Sequence, residues 1–200
     1  MMAITVGPSY FLSILWLKLP KILHLIADVS GVLQMLILIY FIRLLAHVIK
    51  ATSVKINAMT RFLWTLASVA FILKVILQML SIIPFLTNYA FGFRPIVIGY
   101  LHLSFLGIIS FFILGFINQV IGQKGRRISK GGVILFVAGV LAQEIVLMVQ
   151  GLEALEFEPF PYANIILFGT AITIGAGLIW ITWRYHKNNA DKVLTHAGVN

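Results

Sequence analysis

Three side chains stand where hydrocarbon should not tolerate them: Lys74, His102 and Glu144 each interrupt a long apolar run. A charge at the centre of a bilayer costs roughly 2.5 to 3.5 kcal/mol even on the lenient insertion scale. Ionisable residues kept there usually pair, relay protons or ions, or bind a ligand. Gln78 and Ser81 share the helical face of Lys74, and Gln143 and Gln150 share a face beside Glu144. Lys74, Gln78, His102, Gln143, Glu144 and Gln150 together predict a polar seam through a helical bundle, with Lys74 and Glu144 as an ion pair. Three chemistries fit it. Buried amides and one ion pair can act as structural glue. A Lys/His/Glu layer can move protons or ions. His102 can ligate a haem or a metal, imidazole being the commonest such ligand. Arg94 is placed to meet lipid headgroups or an anionic group such as a haem propionate.

These residues need elements of membrane length to hold them. Six apolar segments can be read: 3–17, 22–42, 62–83, 96–118, 132–152 and 162–183. About 20 apolar residues cross a hydrocarbon core of about 30 Å, so the last five are long enough to span. The first is short and ends at the breaker Lys18-Leu19-Pro20-Lys21. Pro95 suits the first turn of the fourth segment, and Pro159-Phe160-Pro161 leads into the sixth. The sixth also carries Gly169, Thr173 and Gly177 at four-residue spacing, a small-residue stripe expected to pack within the molecule.

Hydrophobic residues make up 60% of the chain and charged residues 10%, where a soluble domain carries about 25% charged residues. The net charge of +9 is not a nucleic-acid signal, because its cations lie between the apolar blocks. Arg43, Lys50, Lys55 and Arg61, then Lys124, Arg126, Arg127 and Lys130, then Arg184, Lys187 and Lys192 fall on one side. Only Lys18, Lys21 and Arg94 fall on the other, with Glu153, Glu156 and Glu158. The basic side is expected to be cytoplasmic. Trp180, Trp183 and Tyr185 mark that interface, and Tyr89, Tyr100 and Tyr162 the opposite one. With no cysteine, disulfides, iron–sulfur clusters and thiolate haem ligation are excluded. The first residues carry no basic region ahead of the apolar stretch, so a cleaved signal peptide is not expected.

The topology gives depths. Lys74 lies about 13 residues above Arg61, or roughly 20 Å. Glu144 reaches about 18 Å on the same rise, and His102, entering from the other side, lies about 10 Å down. All three reach one layer. His24 and Asp28, one turn apart near the outer end of the second segment, read as a solvated interfacial pair.

The stretch Phe91-Gly92-Phe93-Arg94-Pro95-Ile96-Val97-Ile98-Gly99-Tyr100-Leu101-His102-Leu103, followed by Leu106-Gly107, resembles the later half of a bacterial family of polytopic membrane proteins similar to haem–copper oxidase subunit I. The resemblance extends more loosely over about residues 10–180, including Gln143-Glu144 and Gln150-Gly151. It implies an all-helical bundle in which His102 faces a haem. Such proteins carry a histidine-rich motif in an earlier half, and this chain has no His-x-His within a span. A redox site would then need a second membrane subunit, as expected if the chain is a split or truncated half.

The expectation is an all-α, polytopic transmembrane bundle over 1–185, five full spans and a short N-terminal sixth, with a polar, mobile cytoplasmic tail over 186–200. Its place is the bacterial inner (plasma) membrane. Its expected role is a non-catalytic membrane subunit offering His102 to haem, and the alternative is a small-solute or ion-coupled transporter using the Lys/His/Glu layer.

Overall fold

The computed structural model describes residues 33–44, 46–47, 56–80, 94–123, 128–156 and 161–196. The first apolar segment, most of the second, His24, Asp28 and Ser81 lie outside them. The described residues are helical and contain no strand. The helices are α1 (Leu33–Leu44), α2 (Ala58–Leu80), α3 (Arg94–His102, continuing through Leu103–Ser110 and Phe111–Gln123), α4 (Lys130–Glu156) and α5 (Ala163–His196). Four of them, α2 to α5, are long and apolar enough to cross a membrane.

Local chemistry sets the helix starts. Asn57 begins α2: its Oδ1 accepts the Met59 N–H at 3.3 Å and its carbonyl the Arg61 N–H at 2.9 Å. This places the helix start four residues ahead of the apolar run that predicted it. Ser129 does the same for α4, its Oγ accepting the Gly132 N–H at 3.4 Å. Hydropathy marks where a chain enters lipid; capping marks where a helix begins, and the two differ by four residues at α2 and two at α4. At the other end of the molecule the difference is larger. The polar stretch expected to be a mobile tail from residue 186 continues α5 as helix to His196, because loss of apolar character does not remove helix propensity.

Consecutive helices run antiparallel and pack side by side, α2 on α3, α3 on α4, α4 on α5. The ring of Phe41 meets Phe71 edge to face at 5.2 Å, joining α1 to α2. α4 is central: 44% of its span is buried, against 28% for α2 and 17% for α3 and α5. Large side chains such as Phe105, Phe112, Phe116, Ile165, Phe168 and Ile179 are exposed instead. So many large apolar side chains at the surface would promote aggregation in water and are at home among acyl chains. The molecule is a helical membrane protein.

Close approach at small residues holds the row together. A Cβ on Gly177 would lie 2.7 Å from the Phe136 backbone nitrogen, and one on Gly139 2.8 Å from Ile174 Cγ1. Of the small-residue stripe read in the sequence, only Gly177 makes such a contact. Nothing lies within 4 Å of a Cβ placed on Gly169, and Thr173 donates its hydroxyl to the Gly169 carbonyl. The face that α5 presents to α4 runs instead through Thr170, Ile174, Gly177 and Ile181, all buried.

Between α2 and α3 the bond from Asn118 Nδ2 to Thr60 Oγ1, 2.9 Å, is sealed, with Thr60 0% and Asn118 4% exposed. Asn118→Leu is expected to lower stability by about 1–2 kcal/mol, since the Thr60 hydroxyl loses its partner in a dry seam. The double change Asn118→Leu with Thr60→Val should recover part of that loss. Unfolding of the purified protein in mild detergent reads both; equal stability of all three forms would contradict the assignment.

Candidate intramembrane polar site

The antiparallel contacts fix which residues share a height. Gly115 packs on Leu63 and Trp64, and Gly107 on Ala70; continued along α2 and α3, this register brings Lys74 level with Leu103. Gly151 packs on Ile96 and Gly99 on Leu147, which brings the same part of α3 level with Glu144. Lys74, His102 and Glu144 therefore stand within about one helical turn of one another along the bundle axis. All three are half-buried, and Gln78 and Gln143 are buried.

Shared height has not made an ion pair. The Lys74 ammonium lies 5.7 Å from the centroid of the Tyr100 ring, and among the described residues no salt bridge joins it to Glu144. The predicted pair is thus replaced by a cation–π contact. Such a contact is worth up to about 2 kcal/mol when desolvated, most of the roughly 2.5–3.5 kcal/mol that a lysine costs at mid-span. A carboxylate is therefore not required to keep Lys74 in place. Tyr100, read from the sequence as an interfacial residue, is the partner that reading missed. The available signal was its place two residues before His102, within reach of the lysine's layer.

Glu144 is left with an unmet acceptor. Its Oε1 is buried without a hydrogen-bond donor, as is Oε1 of the neighbouring Gln143. Gln143 is level with Thr170 across the α4–α5 seam, but the Thr170 hydroxyl donates to the Leu167 carbonyl at 2.8 Å. One turn or more further along α4, Gln150 is half-buried, and Glu153 has a buried Oε2 without a donor. Glu153, assigned by sequence to a loop, belongs to the extended end of this helix. Orphaned acceptors in a low-dielectric interior each cost about 1–3 kcal/mol, so these oxygens mark where a donor from outside the described residues would be stabilised.

His102 Nδ1 is 2.9 Å from the Ile98 carbonyl oxygen one turn back. A carbonyl only accepts, so Nδ1 carries the proton, and in the neutral ring Nε2 then presents its lone pair. Directly after His102 the helix widens into a π-helical stretch, Leu103–Ser110, in which Ser110 Oγ donates to the Phe105 carbonyl five residues back at 3.0 Å. Ser104 Oγ donates to the Tyr100 carbonyl at 2.9 Å. These hydroxyls satisfy carbonyls in a backbone that water does not reach. Widened turns of this kind recur at functional sites, and no composition or periodicity in the sequence announces this one. Arg94 is the first residue of α3; its side chain lies outside the described residues.

The class defined by these features is a polytopic helical membrane protein with three half-buried ionisable side chains at one height. The chain matches no protein-family model, no characterised protein and no solved structure.

Proposed function

We propose that the chain is a non-catalytic subunit of a bacterial inner-membrane complex and that its His102 ligates a haem held together with a partner subunit. The observation carrying this reading is the Nδ1–H bond from His102 to the Ile98 carbonyl. Metal-ligating histidines are oriented by such a bond, which fixes the tautomer and raises the basicity of the other nitrogen. Among the described residues no cluster of three His, Cys, Asp or Glu side chains could hold a bare metal ion. One imidazole nitrogen does meet the requirement for a single axial haem ligand. The seam between α3 and α4 is closed at Gly151 and Gly99, so the remaining walls of a haem site belong to the partner. Bound haem would supply the redox couple; this chain would supply one ligand. The resemblance of residues 91–107 to the haem–copper oxidase-like family points the same way, as does the lack of a paired histidine motif, which makes a partner necessary.

In the membrane the chain has five spans and a short sixth at its N-terminus, with the C-terminus in the cytoplasm. Arg61, Lys130, Arg184 and Lys187, all exposed, lie at one end of the antiparallel row, in support of that orientation. The haem reading is tested on the complex purified from native membranes. The chain should co-purify with a Soret band, and His102→Ala should remove or shift it while leaving the amount of chain unchanged. No Soret band, or an unchanged one in His102→Ala, ends the reading.

A second reading rests on Glu144. Its donorless oxygen, level with Lys74 and His102, supports an ion-coupled carrier in which Glu144 takes up a proton or coordinates a cation.

A further inference from the structure

A second site lies at the opposite end of α4 from Glu153, where α4 begins and α5 leaves the apolar core. The α4–α5 seam is very close here: a Cβ on Gly132 would stand 2.8 Å from Ile181 Cγ1 and 3.1 Å from the Ile181 backbone nitrogen. One residue earlier, Gly131 faces the Trp180 indole, whose Cη2 and Cζ2 atoms would lie 3.4 and 3.5 Å from a Cβ there. This contact holds the Trp180 ring across the start of α4. The antiparallel register set by Gly132–Ile181 and Phe136–Gly177 brings Lys130 level with Trp183 and Arg184, on the flank of the same seam. The Lys187 ammonium is held 5.7 Å from the Trp183 ring centroid. Lys130, Arg184 and Lys187 are all exposed, as are Trp180 and Trp183.

Two kinds of side chain therefore meet in one corner, and each has its own depth. Indoles settle at the boundary between acyl chains and headgroups. Cations just beyond them reach the phosphate layer, each attracted to anionic lipid by about a fivefold gain in affinity. Within α4 the carboxylates lie far from this corner, at Glu144, Glu153 and Glu156, and Asp191 follows Lys187 by one turn of α5. We propose that Lys130, Arg184 and Lys187 bind the phosphate headgroup of an anionic phospholipid, with Trp180 and Trp183 seating its glycerol and upper acyl chains. The ligand class is a phosphodiester carrying net negative charge; a zwitterionic lipid of the same chain length offers the apolar contact without that charge.

The test uses the full chain in a neutral detergent, titrated with phosphatidylglycerol or phosphatidylcholine of equal chain length and read by thermal unfolding. Phosphatidylglycerol should raise the unfolding temperature and phosphatidylcholine should not. The combined change Lys130→Gln, Arg184→Gln and Lys187→Gln should weaken the phosphatidylglycerol effect about tenfold or more in apparent affinity. Its unfolding temperature without added lipid should stay near that of the parent, since all three residues are exposed. Arg184→Gln alone repeats the measurement should the combined variant fold poorly. Arg61→Gln, which removes a cation at the same end of the molecule but from α2, should leave lipid binding unchanged. Equal stabilisation by the two lipids, full retention of binding in the combined and single variants, or the same stabilisation by inorganic phosphate alone would overturn the proposal.

Discussion

Gly177→Leu is expected to separate α5 from α4 and leave little folded protein. The first carbon of any side chain at 177 would stand 2.7 Å from the Phe136 nitrogen and 2.9 Å from its Cα. Those are backbone atoms in the central helix, so no rotamer change relieves the overlap. Overpacking of a seam costs about 1–3 kcal/mol for modest insertions; here the whole α4–α5 contact must open, and the loss should exceed that range. Gly177→Ala should fall within it. The contrast lies at Gly169 and Gly175, where an added Cβ meets nothing within 4 Å. Alanine there should be neutral or stabilise by about 0.5–1 kcal/mol through reduced backbone entropy. Denaturation in mixed micelles reads all four variants, and equal effects at 169 and 177 would contradict the packing described.

The second large effect is at Glu144. If that residue served as structural glue through an ion pair with Lys74, its removal would destabilise the bundle. The geometry predicts the reverse. A buried acceptor without a donor costs about 1–3 kcal/mol, and replacing it with an apolar residue of similar volume removes the cost. Glu144→Leu should therefore unfold at a higher temperature, by about 2–4 °C per kcal/mol for a chain of this size. Lys74→Leu should change stability less, because the cation–π contact offsets most of what its charge costs. Flux separates the functional readings. Under the ion-coupled reading, Glu144→Gln or Lys74→Ala abolishes solute or proton movement in vesicles while the fold persists. Under the haem reading neither change removes the Soret band. A fall in the stability of Glu144→Leu comparable to that of Gly177→Leu would show that the carboxylate has a structural partner.

Periodicity and composition made the helices legible: the four long helices α2 to α5 correspond to the third to sixth apolar segments. Boundaries were less legible, because Asn57 and Ser129 start helices by hydrogen bonding, which hydropathy does not record. The polar layer was legible as residue types and as a shared height, since a helix rises a fixed distance per residue. Its partners were not. Whether Lys74 meets Glu144 or Tyr100 depends on the rotation of α2 and α4 about their axes, and that rotation is set by close contacts such as Gly107 on Ala70 and Gly139 on Ile174. Gly132 and Gly139 stand seven residues apart on α4, a small-residue repeat visible in the sequence but overshadowed by the stripe on α5. The π-helical turns over Leu103–Ser110 had no signal in composition or periodicity.

The measurement that bears most directly on this account is the depth and environment of residues 74, 102 and 144. The native chain has no cysteine, so single Lys74→Cys, His102→Cys and Glu144→Cys variants can each carry one nitroxide label without further changes. In lipid vesicles, collision rates with oxygen and with a polar nickel complex report depth and exposure together. The three labels should report depths within about one helical turn, roughly 5 Å, and lower oxygen accessibility than a label at Phe168 or Ile179. Depths that differ by more than that, or any two of the three as accessible to oxygen as the lipid-facing controls, would contradict a shared internal layer and remove the basis for the ion-coupled reading.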